Sequence, residues 1–319
     1  MTMPARQVER IKPPALRPGD NIGVVAPASN FKRDDFEAGC AALRDMGYNP
    51  VYDESIFARE LYFAGSLDRR VRQLEGMFLR DDVKAIVCAR GGYGSNYLLP
   101  RLNMKKIAER PKAFIGYSDN TSLLTYLCDA ANIVTFHGPM VAKDFAVSDG
   151  VDAESWQAAL GARENWRLDF DSNSGVKPLQ QGTGDGILYG GCLSMLAESL
   201  GTPYEINTEG TILFIEDVAA KPFQIDRMLM HLKLAGKFNG VQGIIFGEML
   251  ECIQSANQGY TLEEVVMRVV ADLAVPVAYG VRSGHVSRRN MTLPIGVSAR
   301  LSVSGNRVTL EILEPATTK

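Results

Sequence analysis

Three kinds of residue that can carry acyl transfer stand just beyond apolar runs of this chain. In Phe114-Ile115-Gly116-Tyr117-Ser118-Asp119-Asn120-Thr121 an apolar strand ends at Gly116, a serine follows within two residues, and a helical pattern begins at once. A serine at such a strand-to-helix turn projects its Oγ from the carboxyl edge of a sheet, beside helical amides still free to bind an oxyanion. The pattern is Gly-x-Ser-x-Asn and lacks the last glycine of the common nucleophile elbow, so Ser118 or Asp119 also reads as a plain helix N-cap. Glu216 and Asp217 follow the apolar run Thr211 to Ile215. Such a pair could orient a histidine, or merely cap the helix that begins near Pro222.

The chain has three histidines. His231 falls in a helical pattern beside Met230 and Leu232 and reads as a surface or packing residue. His137, in Phe136-His137-Gly138-Pro139, ends a strand on the same sheet edge as Ser118; it could support the catalytic residues from behind, although a structural role is the one expected. His285 follows a strand within Ser283-Gly284-His285, where small residues leave room around the ring. Arg90-Gly91-Gly92-Tyr93-Gly94 follows the apolar run Val83 to Ala89. Glycines there let backbone amides approach a ligand closely, but the GGxG spacing is not the GxGxxG of a dinucleotide site. No His/Cys/Asp cluster has metal-ligand spacing. Serine, acid and histidine thus lie at strand ends in an order that can build a triad.

The elements that must position these groups alternate. Asn21 to Ala26, Asn49 to Tyr52, Val83 to Ala89, Lys112 to Gly116 and Ile133 to Phe136 read as strands. Between them Phe36, Cys40, Leu43 and Met46 recur at helical spacing up to Gly47, and Ser66 caps a stripe of Val71, Leu74 and Phe78. Strand then helix, repeated, predicts parallel βαβ units and an open α/β sheet. From Trp166 to Gly186 the pattern dissolves into polar residues and glycine, which predicts a connection between two domains, 1–165 and 187–319. The second half reads as mixed α+β. It ends in a hairpin around Gly305-Asn306.

With 319 residues, two domains are expected. A net charge of −3 and no basic stripe argue against a nucleic-acid binder. The pairs Arg69-Arg70 and Arg288-Arg289 read as solvated. Met1 to Arg6 shows no apolar signal region, and no apolar run is long enough for a bilayer. Five scattered cysteines read as small buried hydrophobes in a reducing compartment, so a cytoplasmic location is expected.

The blocks Arg90-Gly91-Gly92-Tyr93-Gly94, Gly116-Tyr117-Ser118-Asp119-Asn120-Thr121, His137-Gly138-Pro139, Gly190-Gly191-Cys192-Leu193-Ser194, Phe214-Ile215-Glu216-Asp217 with Lys221-Pro222-Phe223-Gln224-Ile225-Asp226-Arg227, and Gly284-His285 together resemble the LD-carboxypeptidase family. The likeness runs from about Asn21 to Ile312. It implies a Rossmann-like amino-terminal domain, a smaller β-rich carboxyl-terminal domain, and usually a homodimer. It implies Ser118 as nucleophile, Glu216 as triad acid and His285 as base, with the amides of Asp119 and of Gly91 or Gly92 as oxyanion hole. No cofactor is implied. Family members release a terminal D-amino acid from murein tetrapeptides, and a related branch cleaves peptidyl-nucleotide antibiotics.

Overall fold

The apolar runs of the first half fold into parallel strands linked by helices. The computed structural model describes residues 9–171, 173–253 and 259–319; the Met1 to Arg6 stretch considered for a leader lies outside them. In chain order the first elements are β1 (Asn21–Val25), α1 (Arg33–Asp45), β2 (Asn49–Val51), α2 (Leu67–Leu79), β3 (Val83–Cys88), α3 (Met104–Ala108), β4 (Ala113–Gly116), α4 (Thr121–Ala130) and β5 (Thr135–His137). Strands β1, β3, β4 and β5 are covered on both faces, which is why they read as continuous apolar runs rather than as alternation. Phe36, Cys40 and Leu43 of α1 point inward as their spacing predicts, and the Ser66 hydroxyl accepts the Arg69 amide at the start of α2.

A helix that the sequence reading did not anticipate follows, α5 (Ala153–Leu160). The tract 166–186, expected to be a connection, instead holds β6 (Trp166–Phe170), β7 (Lys177–Gln180) and the start of β8 (Gly182–Cys192). In β6 only Trp166 and Phe170 are buried and the residues between them are largely exposed, so its composition hides the strand. Strand β7 lies at a sheet edge, where Pro178 is tolerated.

Beyond these come α6 (Leu193–Glu198), β9 (Thr211–Glu216), α7 (Pro222–Leu234), β10 (Gly243–Gly247), α8 (Leu262–Val270), β11 (Val277–Val281), β12 (Leu293–Ile295), β13 (Val297–Ser304) and β14 (Arg307–Ile312). The second sheet runs β6-β14-β13-β8-β9-β10-β11-β7. Its centre, β8 to β11, is parallel and its flanks are antiparallel. The expected hairpin joins β13 to β14, with Ser304 opposite Arg307 across Gly305-Asn306.

One strand changes sheets. The first sheet runs β12-β5-β4-β3-β1-β2, so β12 leaves the carboxyl-terminal half to pair antiparallel with β5, Leu293 opposite His137. A continuous apolar core accordingly contains Val134 and Phe136 of one sheet together with Leu188, Phe214 and Val297 of the other. Among the described residues, no helix is long and apolar enough to cross a membrane.

Arg69 and Arg70 are not solvated. Arg70 is 2% exposed, and its Nη1 donates to the carbonyls of Pro27 at 2.7 Å and Gly94 at 2.8 Å. Arg69 donates to the Ala64 carbonyl at 2.5 Å. A guanidinium carries five donors and can satisfy loop carbonyls that no strand partner reaches. Arg288 and Arg289 are exposed as expected.

Helix α1 sits so close to the chain after β5 that a methyl carbon on Gly39 would lie 1.9 Å from the Val141 carbonyl oxygen. Gly76 of α2 has nothing within 4 Å of that position. Gly39→Ala should therefore destabilise by at least about 2 kcal/mol, and Gly76→Ala should stabilise by roughly 0.5–1 kcal/mol. Urea midpoints of the two variants check this; a neutral Gly39→Ala would disprove the close packing.

Candidate active site

Ser118 sits where β4 breaks into α4, with φ of +64°, a region non-glycine residues seldom occupy and hold at a cost of about 1 kcal/mol or more. Its surroundings fix the turn. Asn120 Nδ2 donates to the carbonyls of Tyr117 at 3.2 Å and Arg90 at 3.3 Å. Asp119 Oδ2 accepts the Ser95 amide at 2.7 Å, and the Ser95 hydroxyl donates back to the Asp119 carbonyl at 2.5 Å. Burial raises the Asp119 carboxyl while the Ser95 and Gly94 amides and Arg70 oppose that rise.

The glycine loop leans directly on the serine. A methyl carbon on Gly91 would lie 2.7 Å from Ser118 Cβ, 2.9 Å from its Oγ and 3.4 Å from the Asp119 amide nitrogen. Only glycine allows that approach. Gly92, at φ +104°, faces Ser29 in the same way. The amides of Asp119 and Gly91 donate to no other group among the described residues.

Glu216 ends β9 in the middle of the second sheet and is fully buried. Its Oε2 accepts two hydrogen bonds from His285, one from the backbone amide at 3.0 Å and one from ring Nδ1 at 2.8 Å. Burial alone would raise the Glu216 carboxyl, but His285, through charge and hydrogen bond, and the nearby His137 outweigh it and hold the group well below the usual carboxylate range. Burial pulls the His285 imidazole down, and Glu216 more than reverses that, so it lies above its ordinary value. The Tyr117 ring, next to Ser118, meets the His285 ring edge-on at 5.0 Å.

Asp217 plays a different part. Its Oδ2 accepts the Ser194 amide at 2.9 Å and the Ser194 hydroxyl at 2.7 Å, so it holds the start of α6 rather than that of α7. His231 is exposed on α7. The five cysteines are buried free thiols.

This arrangement has relatives. Residues 22–138 match the LD-carboxypeptidase N-terminal domain, and residues 185–301 match the LD-carboxypeptidase C-terminal domain. The chain belongs to the LD-carboxypeptidase family. It is 34% identical over 306 residues to a probable murein peptide carboxypeptidase of Bacillus subtilis, covering 94% of each chain. It is also similar to the microcin C7 self-immunity protein MccF of Escherichia coli, at 28% identity over 92% of this chain and 94% of that one. The crystal structure of muramoyltetrapeptide carboxypeptidase from Oxalobacter formigenes superposes with a TM-score of 0.83 at 27% identity, covering 93% of this chain and 100% of the other.

Several residues that build this LD-carboxypeptidase site escaped the sequence reading. Asn290 is buried and clamps Gly284, accepting its amide at 2.9 Å and donating to its carbonyl at 3.0 Å. Ser283 and His137 are bonded at 2.9 Å, and His137 faces Glu216 rather than serving only as packing. Asp144 accepts the Met140 amide at 2.9 Å and the Tyr117 hydroxyl at 3.3 Å, and burial pushes its carboxyl up to about 6. The signals available for His137 were its place at the same strand edge as Ser118 and the His137-Gly138-Pro139 block. A cavity of about 570 Å³ opens between Tyr93, Tyr97, Ser122 of α4 and Glu198 of α6.

The signs of the two shifts set a pH window. His285, raised, contributes stability fully below its ordinary pKa of 6.5 and loses it as pH climbs through its higher folded value. Glu216, lowered, contributes above its ordinary 4.5 and loses it only as pH falls through its depressed folded value. The pair therefore stabilises most between 4.5 and 6.5. By NMR titration His285 should titrate above 6.5, and Glu216→Gln should bring it down. A His285 value at or below the ordinary 6.5 would contradict this electrostatic account.

Proposed function

We propose that this chain is a serine-type LD-carboxypeptidase that releases the terminal D-alanine from murein tetrapeptides through Ser118, His285 and Glu216. The observation that carries the proposal is the buried Glu216 carboxylate accepting His285 Nδ1–H at 2.8 Å, with the His285 ring against Tyr117, the residue before the strained serine. With Nδ1 so engaged, the His285 Nε2 is left unprotonated to act as base. It takes the Ser118 proton as Oγ attacks the carbonyl of the third residue. The amides of Asp119 and of Gly91 or Gly92 hold the oxyanion. His285 then returns the proton to the leaving amine of D-alanine, and water hydrolyses the acyl-enzyme by the reverse use of the same base. Glu216 stabilises the imidazolium formed at each step.

The likeness to a probable murein peptide carboxypeptidase supports the peptide substrate. The buried free thiols suit a cytoplasmic enzyme acting on recycled peptide, and a homodimer is part of the proposal. A second reading is favoured by one feature. Tyr62, Tyr93 and Tyr97 are exposed beside the glycine loop and cluster at ring distances of 5.9 to 6.0 Å, a surface that could stack a nucleobase as an immunity-type hydrolase of peptidyl- or aminoacyl-nucleotide antibiotics requires.

Ser118→Ala and His285→Ala are each expected to lower the rate roughly 10⁴-fold or more. Glu216→Gln should lower kcat strongly while Asp217→Asn is far milder, because Asp217 is hydrogen-bonded to Ser194 and not to the histidine. Substrate is tested by comparing kcat/KM for the tetrapeptide, its L-alanine-terminated epimer, the pentapeptide and an aminoacyl-sulfamoyl adenylate. The tetrapeptide should be cleaved best. Preference for the adenylate would replace the murein reading by the immunity reading and leave the serine mechanism standing.

A further inference from the structure

The far side of Glu216 is occupied by a second histidine. His137 Nε2 and Glu216 Oε1 lie 3.6 Å apart, just beyond hydrogen-bond reach, each side chain fully buried, and neither atom has a hydrogen-bond partner among the described residues. An ionised carboxylate can only accept, so stable contact between these atoms requires a proton on His137 Nε2. The other ring nitrogen is consistent with that. His137 Nδ1 lies 2.9 Å from Ser283 Oγ, which is itself 2.9 Å from the Met291 carbonyl oxygen. The single hydroxyl proton of Ser283 goes to Nδ1, to the Met291 carbonyl, or to the His137 carbonyl at 3.4 Å. In the first case His137 is the neutral Nε2–H tautomer; in the others Nδ1 donates to Ser283, and it is the contact with Glu216 that puts a second proton on Nε2.

The ring has no room to turn away. Phe214 packs on it at 5.1 Å between ring centres, and Tyr117 lies at 6.0 Å. A methyl carbon on Gly284 would come within 2.8 Å of His137 Cε1 and 2.6 Å of Glu216 Cδ. The register of β5 against β12 fixes the backbone, with His137 opposite Leu293.

We propose that His137 is a positioning residue: its Nε2–H faces Glu216 Oε1 across 3.6 Å and steadies that oxygen electrostatically, so that the carboxylate is held between two imidazoles and presents Oε2 to His285. The donor also draws negative charge toward Oε1. Without it, Glu216 pulls harder on the His285 proton and raises the pH at which His285 becomes a free base. The other charged or titratable groups near this pair are Asp217, Asp144, Tyr117, Cys192 and Cys252, and none of them is altered by a substitution at His137.

Two substitutions separate donation from shape. Phenylalanine keeps the ring and loses the donor, whereas glutamine loses the ring and keeps an N–H near Nε2. The proposal rests on the triad reading, but imidazole titration by NMR in the ¹⁵N-labelled full chain needs no substrate, and exposed His231 serves as control. His137→Phe should raise the pKa of His285, and His137→Gln should leave it near the wild-type value. With the tetrapeptide, His137→Phe should lower kcat about ten- to a hundredfold, comparable to one hydrogen bond to a charged group, with KM little changed. His137→Gln should recover most of that loss. A wild-type His285 titration in a folded His137→Phe variant would overturn the proposal. So would a His137→Gln variant that titrates away from wild type, and this result decides the matter if the phenylalanine variant does not fold. Failure of the triad reading would show separately, as activity retained by Ser118→Ala.

Discussion

A fully buried carboxylate is the feature around which the rest of this molecule is arranged. Moving an isolated Glu216 charge out of water would cost several kcal/mol, and the group would protonate if nothing compensated it. His285 compensates it twice, through its backbone amide and its ring, and His137 faces the other oxygen. The same desolvation that makes the carboxylate expensive makes its hold on the His285 tautomer strong, since few other dipoles compete nearby.

That requirement explains the path of the chain between the sheets. Glu216 belongs to the centre of the second sheet, whereas Ser118 and His137 end strands of the first. The segment after β11 carries His285, is clamped by Asn290 at Gly284, and then enters the first sheet as β12. It returns at once to the second sheet as β13. A loop tied to both sheets cannot drift relative to either, and so the histidine is held against the acid of the second sheet and against Tyr117 at the end of the first. The amino end of α4 strengthens the join: Thr121 Oγ1 accepts the Cys192 amide at 3.1 Å, where β8 ends.

Strain at Ser118 is compatible with this arrangement because the turn is over-determined on every side. The Gly91 loop presses on the side chain, Asn120 and Asp119 hold the backbone, and Arg70 secures the far end of the loop at Gly94. None of these partners can relax without breaking buried hydrogen bonds, which offsets the cost of a left-handed serine. Membership of the LD-carboxypeptidase family fits such a site.

The amino-acid sequence by itself determined the parallel first sheet, because strands buried on both faces must be continuously apolar and their intervening helices must carry a 3.6-residue stripe. It also singled out Ser118, Glu216 and His285, because each lies just beyond an apolar run or at its end and the surrounding motifs resemble one family. It hid the strands of residues 166–186, where one-sided burial and an edge position leave mostly polar composition, and it hid β12, three residues long and far from its partner β5. It also gave the wrong surroundings for Arg69 and Arg70, since a cation's burial depends on carbonyls supplied by distant loops. Above all, the pairing of His137 with Glu216 joins residues 79 positions apart on different sheets. Only tertiary structure decided that contact, because local pattern records which face of a strand is buried and not which group it is buried against.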